Sequence, residues 1–156
     1  MKEIRKILAP TDFSDLSCVG LRRALENARE VGAEVIVLHV VAMSDDWFSK
    51  HQELNPVRNL IAEQQAVLDK FLRDKFTDWM NLVEVTQKVE LGTPYANIVA
   101  CAEREGVDII MMSSHGRSGW DHLLLGSVTE KVIAHAPCPV LAIPVIKPDR
   151  ALAKAA

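Results

Sequence analysis

The residues with the most chemistry in them lie in one stretch, "SSHGRSGWDHLLLGSVTEKV", residues 114–133. Gly116 and Gly126 bracket nine residues, and Gly126 is followed at once by Ser127 and a helical run. Glycine lets a backbone turn its N–H groups inward and lets a ligand come close. The start of a helix adds free N–H groups and a partial positive charge, worth about 0.3–1 kcal/mol to a nearby anion. Gly116, Gly126 and Ser127 therefore have the makings of a phosphate cradle, to which Arg117 can add a charge-assisted hydrogen bond. His115 has the chemistry of an acid or base, although nothing in the sequence positions it. Plainer roles stand beside these. Gly126 fits a turn, Ser127 caps its own helix, and His115 and Arg117 are ordinary loop residues. Trp120, Leu123, Leu124 and Leu125 are expected to pack, at a subunit contact or elsewhere, rather than to touch a ligand.

Asp12, in "PTDFSD", is the second candidate. A carboxylate there can accept hydrogen bonds from a ribose or help hold a divalent cation. Equally, it is a turn residue, with Ser14 capping the helix that follows.

Both segments need elements to position them. Short runs rich in Val, Ile and Leu at 5–10, 33–41, 82–91, 107–113 and 139–145 read as strands, the third with a wetter face suited to a sheet edge. Helical patterns lie between them. Residues 15–31 put Leu21, Ala24, Leu25 and Ala28 on one face, with Gly32 as the stop. Residues 57–79 carry Val57, Leu60, Ile61, Leu68, Phe71 and Leu72 at helical steps, interrupted by Gln64. Thr93 and Pro94 read as a cap and first helical residue for a helix to about Glu105. Gly126 and Ser127 open the last helix, which carries Val128 and Val132 on one face and ends at Pro137.

Strand and helix alternating in this way specify an α/β fold, a parallel sheet covered on both faces. Right-handed crossovers make it doubly wound, and ligands bind outside the carboxyl ends of its strands where the winding reverses. For a strand order of 3-2-1-4-5 the reversal lies between strands 1 and 4. The segments leaving those strands are "APTDFSD" and "SSHGRSG". A strand-to-helix loop of about 2–6 residues is ordinary, so the longer one after strand 4 asks for a function.

Bulk properties set limits. The 156 residues suit one domain, here 1–146, with 147–156 as a loose tail. A composition of 49% hydrophobic and 25% charged residues is globular, and a net charge of −3 argues against a general nucleic-acid binder. No apolar run reaches membrane-span length and the N-terminus does not read as a signal peptide, so a cytoplasmic protein is expected. Cys18, Cys101 and Cys138 read as buried reduced thiols, and the His135–Cys138 pair lacks the further ligands of a zinc site.

"ILAPTDFSD", "VLHVV", "GTPYANIVACAEREGVDIIMMSSHGRSG" and "LLLGSVTEKVIAHAPCPVLAIP" closely resemble the universal stress protein family, over about residues 3–145. The resemblance implies a five-stranded parallel sheet of order 3-2-1-4-5 and a homodimer formed through the last strand, 139–145. Nucleotide-binding members of the family are similar to G-x2-G-x9-G-[ST]. Here Ser113 replaces the first glycine, while Gly116, Gly126 and Ser127 match. Carried over by position, Pro10, Thr11 and Asp12 would border an adenosine, and Val40 or Val41 would meet adenine through backbone groups. Met112 and Ser113 would lie by the ribose, with His115 beside them. Gly116, Arg117, Gly126, Ser127 and Val128 would surround the phosphates.

The implied function is an adenine-nucleotide-binding (ATP or AMP) regulatory homodimer in stress response, with Mg as a possible companion of ATP. The alternatives are a slow ATP-hydrolysing or phosphoryl-transfer enzyme, and a protein-interaction scaffold that binds no nucleotide. No G-x4-G-K-[ST] loop is present and no base is paired with Asp12, so any hydrolysis is expected to be slow. A phosphorylation receiver would need an Asp after strand 3, where "VELGTPY" has none. A flavin site would need a phosphate cradle after strand 1.

Overall fold

The computed structural model describes residues 2–50, 54–115 and 125–145. The expected tail, 147–156, lies outside them. In chain order the elements are β1 (Lys6–Pro10), α1 (Asp15–Val31), β2 (Glu34–Ala42), α2 (Asp45–Lys50), α3 (Leu54–Met80), β3 (Val85–Gly92), α4 (Pro94–Glu105), β4 (Ile109–Ser113), α5 (Ser127–His135) and β5 (Val140–Ile143). The five strands form one sheet in the order β3-β2-β1-β4-β5, every neighbouring pair parallel. The winding reverses between β1 and β4, as expected for the order that the resemblance implies.

Successive strand residues point to opposite faces. Ile7 and Ala9 of β1 and Val35 and Val37 of β2 pack with Leu21 and Leu25 of α1 and with Leu68, Phe71 and Leu72 of α3. Leu8, Ile36 and Leu38 face the other way, onto Ile98 and Cys101 of α4 and Val132 of α5. Two apolar layers thus clamp the sheet, and both surfaces of β1 are sealed. Below the sheet, Asp108 accepts from the backbone N–H groups of Arg5 and Lys6, each at 3.0 Å, and pairs with Lys2 at 2.7 Å. The Lys2 ammonium and then the Arg5 N–H hold its carboxyl below the ordinary carboxylate range.

Several boundaries differ from the sequence reading for local reasons. The N–H groups of Leu82 and Val83 both close onto the carbonyl of Trp79, so these residues finish the helix end and the strand starts at Val85. Prolines 139 and 144 flank β5 and confine it to Val140–Ile143. Thr93 precedes α4, but its side chain makes no capping bond. The short helix α2 was not foreseen, since six residues carry too little periodicity to register. Cys101 is buried, as expected, whereas Cys18 and Cys138 are only partly so; burial pushes all three thiols up. β3 is an edge strand, and its wetter side carries ion pairs: Lys88 meets Glu105 at 2.8 Å, and Arg104 pairs with Glu90.

One glycine governs how α1 meets β4. A Cβ added at Gly20 would stand 2.4 Å from the Ser113 nitrogen and 2.7 Å from the Met112 carbonyl carbon. Only a residue without a side chain lets the helix come that close to the strand end. Gly20→Ala is therefore expected to lose about 1–3 kcal/mol of stability by overpacking, despite alanine's better helix propensity. For a domain of this size that lowers the thermal midpoint by roughly 3–10 °C. An unchanged or higher midpoint would contradict the close approach.

Candidate functional site

The site begins where β1 stops. Its last ladder pair is Pro10 with Leu38, after which the Thr11 N–H donates to the Leu38 carbonyl at 2.9 Å. β2 runs on to Ala42, still paired with β3. In a parallel ladder, alternate residues present both peptide groups to the same neighbour. The Val35 N–H donates to Glu84 beside β3, and the Leu38 carbonyl faces β1, so Val40 presents its N–H and C=O to the side that β1 has left. The next partner would be the Thr11 carbonyl. His39 occupies it instead, its Nδ1 lying 2.8 Å away, which fixes the proton on Nδ1 because a carbonyl can only accept.

The turn after β1 is held by its own side chains. The Phe13 N–H donates to Thr11 Oγ1 at 3.1 Å, and Thr11 Oγ1 lies 2.9 Å from Ser17 Oγ. Asp12 Oδ1 accepts from the Ser14 N–H at 3.0 Å and also from the Ser14 hydroxyl. Ser14 Oγ accepts in turn from the Ser17 N–H at 3.1 Å, capping α1. Phe13 sits at φ 65°, a left-handed conformation that costs a bulky residue about 1–2 kcal/mol. Its ring is anchored by stacking on His39, with centroids 4.0 Å apart, and by the edge of Phe71 at 5.3 Å. Asp12 is thus a turn residue and also faces the cavity described below.

At the end of β4, the Ser113 hydroxyl donates to the His115 carbonyl at 3.0 Å, and Thr129 Oγ1 donates to the Ser113 carbonyl at 3.1 Å. The Ser114 N–H reaches Ile143 of β5 and the Gly126 N–H reaches Ser114, both at 2.8 Å, which closes the ends of the intervening loop. Gly126 is the N-cap of α5 and Ser127 its first residue, so Ser127 does not cap its own helix. Gly126 has no side chain with which to cap this helix start, so no side-chain cap from the N-cap residue competes with an anion for its first N–H groups.

These ends enclose a cavity of about 510 Å³. Of the residues singled out from sequence, Pro10, Thr11, Asp12, Val40, Val41, Met112, Ser113, His115, Gly126, Ser127 and Val128 all line it. Gly116 and Arg117 lie outside the described residues. Sequence reasoning missed Phe13, Ser17 and His39 near β1, Gln64 of α3, and Pro94 and Ile98 of α4. A lone histidine in "VLHVV" and a glutamine inside an apolar helical stripe were the available signals. Asp12 is the only carboxylate among the described lining residues, and none of those residues is a lysine or arginine. Among these described residues, attraction for an anion comes from peptide dipoles rather than from side-chain charge.

His115 marks the cavity's incompleteness. Its Nδ1 lies 2.9 Å from Ser114 Oγ, but its buried Nε2 has no partner, the one such side-chain atom among the described residues. An orphaned buried polar atom costs about 1–3 kcal/mol unless something fills its bond. His115→Leu is therefore expected to change the stability of the ligand-free protein by less than about 1 kcal/mol, measured by urea unfolding. A loss above about 2 kcal/mol would mean that the imidazole serves the fold instead.

Comparison with known proteins gives a consistent result. Residues 3–144 match the model of the universal stress protein family. The chain is 36% identical over 152 residues to the universal stress protein MJ0577 of Methanocaldococcus jannaschii, covering 89% of this chain and 94% of that protein. The solved structure of MJ0577 matches with a TM-score of 0.70 at 33% identity, over 94% of this chain and all of that one. At lower identity, a universal stress protein from Archaeoglobus fulgidus in complex with dAMP shares the fold (21% identity, TM-score 0.53, 92% and 99% covered). So does a universal stress protein in complex with cAMP (19% identity, TM-score 0.66, 92% and 98% covered).

Proposed function

The chain belongs to the universal stress protein family, and we propose that it is a regulatory protein whose cavity at the sheet reversal binds an adenine nucleotide, ATP or AMP. The observation that carries this reading is the convergence of three features on one cavity. They are the peptide edge of Val40 beyond the end of β1, the buried Nε2 of His115, which has no partner among the described residues, and the start of α5, whose Gly126 N-cap has no side chain. A base set against Val40 would accept from its N–H at N1 and donate its 6-amino group to its carbonyl. A phosphate would take the N–H groups of Ser127 and Val128. Apolar walls of Leu38, Ile98 and Met112 suit the flat faces of a purine. The complexes of two family members with cAMP and dAMP support the same ligand class.

Regulation is favoured over catalysis because Asp12 Oδ1 already accepts from Ser14, and the described lining residues hold no lysine or second carboxylate to activate water. Asp12 is the carboxylate that would meet a Mg ion accompanying ATP. A cytoplasmic role in stress response fits the family, and no helix among the described residues is long and apolar enough to cross a membrane.

Thermal unfolding with ATP, ADP, AMP, GTP or buffer tests the reading. An adenine nucleotide at 100 times its dissociation constant is expected to add about 2.7 kcal/mol. Gly126→Val, which puts a side chain at the mouth of α5, is expected to abolish that gain while leaving the ligand-free midpoint in place. Flat profiles with every adenine nucleotide would leave the scaffold reading instead. Phosphate release faster than about 1 per second would point to the enzyme.

The partner is proposed to be a second copy. β5 is an edge strand whose Leu141 is 41% exposed, and two-fold pairing of such edges would cover it. Leu141→Lys is expected to turn a dimer into a monomer by light scattering; a wild-type monomer would contradict the pairing.

A further inference from the structure

The long helix α3 carries one residue that its packing does not explain. It joins the top of β2 to the bottom of β3 and so descends antiparallel to the strands. Leu68, Phe71, Leu72 and Phe76 form its buried stripe against the core. Side chains four residues apart stack on one face of a helix, so the position one turn above Leu68 is Gln64. There the stripe has climbed past the core and lines the cavity. An apolar residue would continue the stripe at no desolvation cost, yet a carboxamide stands in its place.

The neighbouring amide is committed elsewhere. Gln65 Nε2 donates to Gln87 Oε1 at 3.0 Å, and Gln87 Nε2 donates to Asp69 Oδ1 at 3.3 Å. Gln64 takes no part in this chain, and its carboxamide has no hydrogen-bond partner among the described residues. It enters the cavity from the α1–α3 side of the sheet, the side of the stacked Phe13 and His39. The Val40 peptide edge enters from β2.

A carboxamide presents one acceptor beside one donor. Adenine's edge at N6 and N7 presents the complement, a donor beside an acceptor, whereas guanine presents two acceptors there. The geometry points to Gln64 as the residue that reads the base, its Oε1 accepting from the 6-amino group and its Nε2 donating to N7. This rests on the adenine-nucleotide reading above and deepens it. Val40 takes one hydrogen of the 6-amino group and Gln64 the other, so a purine lacking that group loses both contacts. Specificity thus comes from a side chain on α3 and lies outside the glycine-bearing loop.

Calorimetric titration of the wild type and Gln64→Leu with ATP and with purine riboside 5′-triphosphate, which lacks the 6-amino group, tests the assignment. The wild type is expected to prefer ATP. Gln64→Leu is expected to weaken ATP about tenfold and to weaken the purine riboside triphosphate, which keeps N7 but lacks the 6-amino group, clearly less, narrowing the preference. Unchanged ATP affinity in the variant, or an equal loss for both ligands, overturns the role of Gln64 and leaves the nucleotide reading intact. Wild-type protein that binds neither ligand overturns that reading and this one together.

Discussion

Strand peptide groups are paired by a neighbouring strand, and among the described residues the β1–β2 ladder of this fold stops short of the end of β2. β1 is sealed on both faces and flanked by β2 and β4, yet it ends at Pro10 while β2 continues to Ala42. The Thr11 carbonyl, which would be the next ladder partner of Val40, is met by His39 Nδ1. A protein selected only for stability would close that gap with backbone or with an apolar side chain. Here the gap persists and opens into the cavity at the reversal of winding. The edge of Val40 beyond the end of β1, the His115 Nε2 without a partner among the described residues and the start of α5 all line the same cavity.

The surroundings hold that deficit in shape. Gly20 lets α1 press against the ends of Met112 and Ser113, so the β4 wall cannot drift. Phe13 is kept in a left-handed conformation by two aromatic neighbours, and its turn is closed by Thr11, Asp12 and Ser14. Ser113, which stands where the family pattern has glycine, turns its hydroxyl onto the loop carbonyl of His115. The substitution is thereby absorbed into the wall. The described lining residues include no lysine or arginine, so at these walls peptide dipoles and shape are what a ligand meets.

Much of this was legible in the sequence because the determining signals are local. Ser14 and Gly32 bracket α1 and do in the structure what serine and glycine do at helix ends. The doubly wound parallel sheet follows from alternating patterns and from handedness, neither of which needs side-chain detail, while its strand order, and with it the place of the reversal, came from the family resemblance. Side-chain choices made across distance were harder to read. Nothing in "VLHVV" says that a histidine will replace a strand as the partner of Thr11, because that depends on where β1 ends. Gln64 was visible only as a break in an apolar stripe, and which way it faces is set by how high α3 stands above the sheet. Ser127 resembled a cap but serves as the first helical residue, since Gly126 has the extended geometry of the cap itself.

The central claim is that peptide groups stranded by the early end of β1 are completed by a ligand. Amide hydrogen exchange, residue by residue, with and without saturating AMP, tests it most directly. The account predicts slowed exchange at Val40, Ser127 and Val128, with the amides of Arg5 and Lys6 at the opposite end of the strands unchanged. Binding of AMP that leaves the Val40 amide exchanging at its free rate would contradict it.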